Sequence, residues 1–161
     1  MTRNPRSKRL RTLRSSARSG PSPAAGDLQG MLTAHLAAVN GRDLETLMTF
    51  YADDAVLEFP ASPRVEGKAK IQRAFASFFD NWEETSTYDA VVISGSTAAV
   101  EGTVTGRHRT LHLRIPGRVA SASRLYRHGF AMFVEVAAGK IRRQRVYFDA
   151  RELVKQLLGD S

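Results

Sequence analysis

Residues 86 to 149 form a succession of strand-like segments separated by short turns, and this pattern limits the folds open to the chain. The predicted strands cover residues 88–93, 98–105, 107–115, 119–136 and 140–149, with turns at Ser94-Gly95-Ser96, Pro116-Gly117 and Ala138-Gly139. Their lengths and spacings are typical of an antiparallel meander, because βαβ units would need a helix between successive strands. The sequence therefore predicts an antiparallel sheet in the second half of the chain.

The first half predicts three helices and one short strand. Apolar residues recur at three- and four-residue steps from Asp27 onward, which is typical of an amphipathic helix that Asn40-Gly41 would end with a left-handed cap. Asp43 is a candidate N-cap for a second helix, and a third is predicted from about Gly67 to Asp80. His35 falls on the apolar face of the first helix, where we expect a hydrogen-bonded core or rim histidine rather than a ligand. The strand covers residues 55–59.

The composition favours one domain and excludes several kinds of site. A chain of 161 residues with 42% hydrophobic content can bury one proper core. The absence of cysteine excludes disulfides, thiolate zinc sites and cysteine nucleophiles. The four histidines do not have a metal-binding spacing such as HExxH, so we expect no metal site. No apolar run reaches the length of a membrane span.

The formal net charge of +8 is concentrated at the beginning of the chain. Of the 24 Lys and Arg residues, seven lie in residues 1–26 without any acid, so 17 basic and 16 acidic residues remain in residues 27–161. Residues 1–26 have few sizeable aliphatic side chains, and we predict that they form a disordered basic tail ahead of one folded domain. Their composition is compatible with a transit peptide, a nucleic-acid-binding arm, an unstructured extension or a start codon placed too far upstream.

The segment from Gly139 to Asp149 predicts a final strand with a carboxylate at its end. Strict alternation would place Ile141, Arg143 and Arg145 on one face together with Tyr147 and Asp149. Asp149-Ala150-Arg151-Glu152 has the spacing of a capping box, so Asp149 could cap the helix that follows. It could also be an acid/base group at the mouth of a pocket.

Several aromatic residues could line such a pocket. The third predicted helix presents Phe75, Phe78 and Phe79 on one side, and Trp82 follows it. Such residues form a core in most proteins, although the same residues would line a cavity in a small α+β domain.

The order helix, helix, strand, helix, meander and closing helix resembles the nuclear transport factor 2-like cone, and residues 28–158 are similar to SnoaL-like polyketide cyclases. The segments that carry this resemblance are His35-Leu36-Ala37-Ala38-Val39-Asn40-Gly41-Arg42-Asp43-Leu44, Phe50-Tyr51-Ala52-Asp53-Asp54-Ala55-Val56, Thr105-Gly106-Arg107-His108, Ile115-Pro116-Gly117-Arg118, Tyr147-Phe148-Asp149 and Gln156-Leu157-Leu158-Gly159. Limonene epoxide hydrolase and ketosteroid isomerase are more distant relatives. The resemblance implies an α+β cone with three N-terminal helices on a strongly curved antiparallel sheet and a short C-terminal helix.

The resemblance also implies an activity and a set of site residues. The cyclases use the Asp at the end of the last strand as acid/base residue, which matches Asp149, and a pocket-facing His, which matches His108. We therefore expect a cofactor-independent isomerase or aldol cyclase that acts on a hydrophobic, carbonyl-bearing small molecule. The expected substrate-binding residues are Tyr147, Trp82, Phe59, Phe75, Phe79 and Met132. The resemblance further implies a homodimer, and we expect a cytoplasmic location.

Two alternatives remain open. The same fold could serve as a non-catalytic ligand-binding or dimerisation module, in which Asp149 only caps a helix. Epoxide hydrolysis is a further alternative, although Arg107-His108-Arg109 has no acid where the hydrolase has Arg-x-Asp. No nucleic-acid-binding motif is present, so we expect such binding at most weakly through residues 1–26.

Overall fold

The computed structural model describes residues 25–109, 114–115, 118–119 and 124–158. The predictions for the basic tail and for the Pro116-Gly117 turn lie outside these residues, apart from the backbone of residues 25 and 26. The helices are α1 (Ala25–Asn40), α2 (Leu44–Thr49), α3 (Lys68–Asn81) and α4 (Ala150–Leu158). The strands are β1 (Tyr51–Glu58), β2 (Val65–Glu66), β3 (Trp82–Ser94), β4 (Thr97–His108), β5 (Arg114–Ile115), β6 (Arg118–Val119), β7 (Leu125–Ala137) and β8 (Lys140–Phe148).

The predicted α+β class and the meander are confirmed. Strands β3, β4, β7 and β8 follow one another as antiparallel neighbours in a curved six-stranded sheet of order β2-β1-β8-β7-β4-β3. The sheet is not wholly antiparallel, because β1 pairs in parallel with β8. These two strands are separated by the whole meander, so no short turn forces them to run in opposite directions. Strands β5 and β6 form a separate two-stranded ribbon.

The connection between α1 and α2 depends on two local features. Asp43 caps α2 as predicted, since its Oδ1 accepts a hydrogen bond of 3.0 Å from the backbone N–H of Thr46. The predicted left-handed cap at Asn40-Gly41 is wrong, because the residue with positive φ (57°) is Arg42. Space favours glycine at residue 41 instead, since a Cβ there would lie 3.0 Å from the Ala37 carbonyl oxygen, a tight contact.

Helices α1 and α3 pack against one face of the sheet, which we call the inner face. Leu28 and Leu32 of α1, together with Ile71 and Phe75 of α3, share a buried cluster with Val100, Met132 and Val134 of the sheet. Inner-face residues of β4 alternate in burial with outward residues, as expected for a strand covered on one side. Within the described residues, no helix is long and apolar enough to span a membrane.

A bulge corrects the predicted faces of the last strand. Val136 pairs with Ile141 whereas its neighbour Glu135 pairs with Arg143, so Arg142 has no partner in the ladder. Ile141 is fully buried, and the buried Gln144 follows it on the same side. The extra residue therefore brings Ile141 onto the inner face, and Arg143 and Arg145 remain on the outer face.

Replacement of Ile141 tests this bulge. Ile141→Ala should lower the free energy of unfolding by about 2–5 kcal/mol, because it leaves a cavity in the core. Val154→Ala, at a 41% exposed position of α4, is the control and should change the free energy of unfolding by less than about 0.5 kcal/mol. Equal effects of the two substitutions in urea unfolding would contradict the inward position of Ile141.

Candidate active site

A largely apolar cavity of about 300 Å³ lies between the inner face of the sheet and helices α1 and α3. Its lining includes aromatic side chains from α3, β3, β7 and β8 and a small set of polar side chains. The polar lining residues are His35, Ser62, Glu84, Ser86, Tyr88 and His128. Within the described residues, Glu84 is the only acidic side chain that lines this cavity.

Glu84 is partly buried, and the phenol group of Tyr126 forms a hydrogen bond with its carboxyl group. Its Oε1 accepts a hydrogen bond from the hydroxyl group of Tyr126. Burial raises the pKa of Glu84 above its ordinary value, and this effect exceeds the lowering by the Tyr126 hydrogen bond and by the charge of His128. The raised pKa favours the protonated form of this carboxyl group, and a carboxyl group in such surroundings is suited to exchange a proton with a bound molecule.

Gly106 makes the contact between Glu84 and Tyr126 possible. The ladder places Gly106 between these two residues on three neighbouring strands. A Cβ at Gly106 would lie 2.7 Å from Glu84 Cγ and 3.0 Å from the Tyr126 hydroxyl oxygen. The two side chains therefore meet above β4 only because residue 106 has no side chain.

The turn after α1 holds the backbone on both sides of Glu84. Strand β3 is an edge strand, and the side-chain amide of Asn40 pairs with both backbone groups of Ser86 at 2.9 Å. Arg42 donates to the carbonyl oxygen of Trp82 at 2.8 Å. These bonds attach the edge strand to α1 two residues before and two residues after Glu84.

His128 lies on β7, one strand beyond β4, close enough for its charge to lower the pKa of Glu84. Its ring is stacked on Tyr126 and lies 5.0 Å from the ring of Phe148, measured between centroids. Nδ1 lies 3.1 Å from the Gly129 carbonyl oxygen, so this nitrogen carries the proton that the carbonyl accepts. In the neutral ring, Nε2 is then the nitrogen with the free lone pair.

A buried polar network lies at the other end of the cavity. His35 is 2% exposed and contacts the hydroxyl groups of Tyr51 and Tyr88 at 3.1 and 3.3 Å. Tyr51 donates to Gln144 at 2.5 Å. The prediction that His35 is a hydrogen-bonded core residue is therefore confirmed, although it also lines the cavity.

The predicted inward direction of Asp149 is wrong. Its side chain is exposed, and its Oδ1 accepts hydrogen bonds from the backbone N–H groups of Arg151 and Glu152 at 2.9 and 3.0 Å. These hydrogen bonds hold the pKa of Asp149 below its ordinary value. The alternative prediction, a cap on α4, is the one that the geometry supports, and Asp149 is not among the cavity-lining residues.

His108 is also outside the cavity lining. It is buried against Trp82 with ring centroids 4.3 Å apart, and burial lowers its pKa. It lies at the end of β4, whereas Phe148, just before Asp149, is aligned with Phe130 and Gly102. Gly102 and His108 are six residues apart on β4, which is about 20 Å along the strand. His108 and Asp149 are therefore not brought together.

Three of the six predicted substrate-binding residues line the cavity, and the other three do not. Phe59, Phe75 and Trp82 line the cavity, and their role in binding stays a prediction. Tyr147 lies on the outer face, 49% exposed and packed on Phe133. Met132 is a core residue that contacts Gln144, and Phe79 lies beneath the guanidinium group of Arg42.

Glu84 and Tyr88, two polar side chains of β3 that line the cavity and can bind or transfer a proton, were not identified from the sequence. Glu84 and Tyr88 lie on one face of β3, but we predicted that this strand begins at residue 88. The alternation of Trp82, Glu84, Ser86 and Tyr88 is the signal that could have identified them. Within the described residues, no cluster of three or more His, Asp or Glu could hold a metal ion.

The curved sheet, the helices on its inner face and the cavity between them define the nuclear transport factor 2-like class of α+β cone proteins. The model of the SnoaL-like domain family matches residues 32–144. The chain therefore belongs to the SnoaL-like domain family. A comparison with the curated proteins finds none that matches this chain.

Solved structures with the same fold carry several activities in their names. A proposed polyketide cyclase from Xanthomonas campestris pv. campestris is 23% identical with a TM-score of 0.74, over 82% of this chain and 97% of its own. An epoxide hydrolase of M. tuberculosis, similar to limonene epoxide hydrolase, is 20% identical with a TM-score of 0.67, over 85% of this chain and 93% of its own. A protein of ketosteroid isomerase-like fold from Catenulispora acidiphila is 18% identical with a TM-score of 0.65, over 79% of this chain and 91% of its own. At these identities the likeness shows the fold alone.

The titration of Glu84 tests its environment. Carboxyl ¹³C NMR should give a pKa above the ordinary glutamate value, because burial disfavours the charged form. The contribution of Glu84 to stability is then fully present below its unfolded pKa and is lost as pH rises through its folded pKa. Glu84→Gln should therefore be more stable than the parent protein at pH 7, and this advantage should shrink as pH falls. Exposed Glu45→Gln is the control, and an ordinary pKa for Glu84 would contradict the prediction.

The capping role of Asp149 makes a separate prediction. Asp149→Ala should lower the free energy of unfolding at pH 7, and Asp149→Asn should lower it less, because asparagine can still accept from the backbone N–H groups. The folded-state pKa of Asp149 is lowered, so its contribution is present above the unfolded pKa and is lost as pH falls through the folded pKa. The difference between parent and Asp149→Ala in urea unfolding should therefore narrow in acid.

Proposed function

We propose that this protein is a cofactor-independent enzyme that moves a proton next to a carbonyl group of a hydrophobic small molecule, with Glu84 as acid/base residue. One observation carries the proposal: the apolar cavity contains a single acidic side chain, among those described, in surroundings that raise its pKa. Isomerisation and aldol cyclisation both begin with this proton transfer.

The proposed reaction uses Glu84 twice. As a carboxylate, it takes a proton from the carbon next to the substrate carbonyl, which leaves an enolate. The protonated Glu84 then returns the proton to another carbon, which completes an isomerisation. Alternatively, the enolate carbon attacks a second carbonyl of the same molecule, and the new alkoxide takes the proton, which completes an aldol closure. Tyr126 holds the carboxyl group in place in both cases.

His128 is placed to assist this chemistry. When both of its nitrogens are protonated, Nδ1 still donates to the Gly129 carbonyl oxygen and Nε2–H is available to a developing oxyanion in the cavity. The aromatic lining limits the water around the enolate. This arrangement supports Glu84 and His128 in the roles that the resemblance suggested for Asp149 and His108.

Epoxide hydrolysis is less well supported. Activation of water by two carboxylates requires a second acid in the cavity, and among the described lining residues Glu84 has no acidic partner. Proton transfer by one carboxyl group is therefore the preferred reaction.

The outer face of the sheet favours a second role, dimerisation. Val92, Phe133 and Tyr147 are 67%, 38% and 49% exposed on this face and lie near ion pairs such as Arg145 with Glu135. Exposed apolar patches rimmed by charges are typical of interfaces. We propose a homodimer through this face, whether or not the cavity is catalytic.

Proton exchange provides the test of the proposed reaction. In D₂O, the protein should accelerate the exchange of the protons next to the carbonyl of 2-tetralone, measured by ¹H NMR. Glu84→Gln should reduce this acceleration about 10²–10⁴-fold, because the carboxyl group is the base. Asp149→Asn is the matched control at an exposed carboxylate and should exchange at the parent rate. Loss of exchange in Asp149→Asn with full activity in Glu84→Gln would overturn the assignment.

The dimer makes its own prediction. Val92→Asp should weaken self-association at least about tenfold, because a twofold axis would bury two unpaired charges. Val154→Asp introduces the same charge on α4 and is the control. Sedimentation equilibrium that gives a monomer for the parent protein would contradict the proposed interface.

A further inference from the structure

We infer that the end of the cavity at Tyr88 is a hydrogen-bond acceptor, and that the ligand is an apolar molecule with a hydroxyl group, or another N–H or O–H donor, at that end. The inference rests on the proposed binding of a small molecule in the cavity, and only its last step, the position of the hydroxyl group relative to the reacting carbonyl, uses the catalytic role of Glu84. It follows from the direction of each hydrogen bond in the buried network. In this network, the donor and acceptor of each hydrogen bond determine the donor and acceptor of the next.

The amide group of Gln144 is the first member of this series of hydrogen bonds. Its Nε2 lies 3.1 Å from the sulfur of Met132, and its Oε1 lies 2.5 Å from the hydroxyl group of Tyr51. A thioether sulfur can only accept, so the NH₂ group must face Met132 and the carbonyl oxygen must face Tyr51. Tyr51 therefore donates its single proton to Gln144.

The tautomer of His35 follows. Because the proton of Tyr51 is used, the Tyr51 oxygen can only accept from the nearby Nε2 of His35, at 3.1 Å. Nε2 therefore carries a proton. Burial lowers the pKa of His35 to about 4, so the ring is neutral at pH 7 and Nδ1 carries a lone pair.

Tyr88 is the last member of this series of hydrogen bonds. Its hydroxyl group lies 3.3 Å from Nδ1 of His35, so it donates its proton to this nitrogen. Its oxygen retains lone pairs, and Tyr88 lines the cavity beside Ser86 and Phe130. A ligand at this end therefore finds an acceptor, and a carbonyl or ether oxygen placed there would meet the lone pairs of the phenol.

The geometry of β3 adds a distance to the ligand class. Glu84 and Tyr88 lie on the same face of the strand, four residues apart, which is about 13 Å between Cα atoms. The reacting carbonyl lies near Glu84 in the proposed function. The structure therefore favours a substrate that carries a hydroxyl group at the end opposite its reacting carbonyl.

Paired probes test the polarity of this end. Isothermal titration should show that 2-naphthol, which has a donor, binds several-fold more tightly than 2-methoxynaphthalene, which has only an acceptor. His35→Leu frees the proton of Tyr88, so the preference should fall to parity or reverse. Thr33→Ala removes an exposed hydroxyl group of α1 that is not among the cavity-lining residues, and it should keep the preference. Equal binding of the two probes by the parent protein, or the same preference in His35→Leu, would overturn the inference.

The tautomer of His35 provides a measurement that needs no ligand and no variant. Long-range ¹H–¹⁵N NMR of the parent protein should show a protonated Nε2 and an unprotonated Nδ1. A protonated Nδ1 would overturn the inference, because Tyr88 would then be free to donate to a ligand. Failure of both probes to bind, together with the expected tautomer, would count against the proposed function of the cavity and leave the polarity of Tyr88 supported.

Discussion

The cavity depends on the absence of side chains at two positions of β4. Gly102 and Gly106 both lie on the inner face, under Phe130 and under the Glu84–Tyr126 pair respectively. A Cβ at Gly102 would lie 2.5 Å from Phe130 Cζ. Glycine weakens a strand interior, so its presence at two inner positions of a central strand is explained by the side chains that cross above it. The carboxyl group, its phenol partner and one aromatic wall are placed by this constraint.

The cavity has polar groups of different character at its two ends. At one end, burial raises the pKa of Glu84, and the only described hydrogen bond to its carboxyl group comes from Tyr126. At the other end, burial keeps His35 neutral, and the hydroxyl proton of Tyr88 is directed to Nδ1 of His35 rather than into the cavity. In the proposed function, a ligand in the apolar space between them would match one group that exchanges a proton and one that only accepts a hydrogen bond.

The parts of the fold that local patterns determine could be predicted from the sequence. The helical periodicity after Asp27, the Asp43 cap and the turns at Ser94-Gly95-Ser96 and Ala138-Gly139 each depend on neighbouring residues, and each is present. The parallel pairing of β1 with β8 and the bulge at Arg142 depend on contacts between distant segments. For this reason strict alternation placed Ile141 on the wrong face of its strand.

The site was predicted less well for the same physical reason. The cap at Asp149 could be identified because its hydrogen bonds lie within three residues, whereas the direction of the side chain relative to a cavity depends on the whole sheet. Glu84 was missed because Glu83-Glu84 has low strand propensity, so the strand was predicted to begin later. Pairing with β4 and the bonds from Asn40 and Arg42 outweigh that preference.

The position of Glu84 on an edge strand explains why α1 and the turn after it matter to the site. An edge strand has ladder hydrogen bonds on one side only, and its free side can fray or pair with another chain. Asn40 supplies an amide that imitates a neighbouring strand at Ser86, and Arg42 binds the carbonyl oxygen of Trp82. The left-handed conformation of Arg42 directs the turn so that both contacts are made by residues two apart. The helix that covers the cavity thus also stabilises the strand that carries its carboxyl group, so the cover of the cavity and the position of Glu84 are parts of one structural unit.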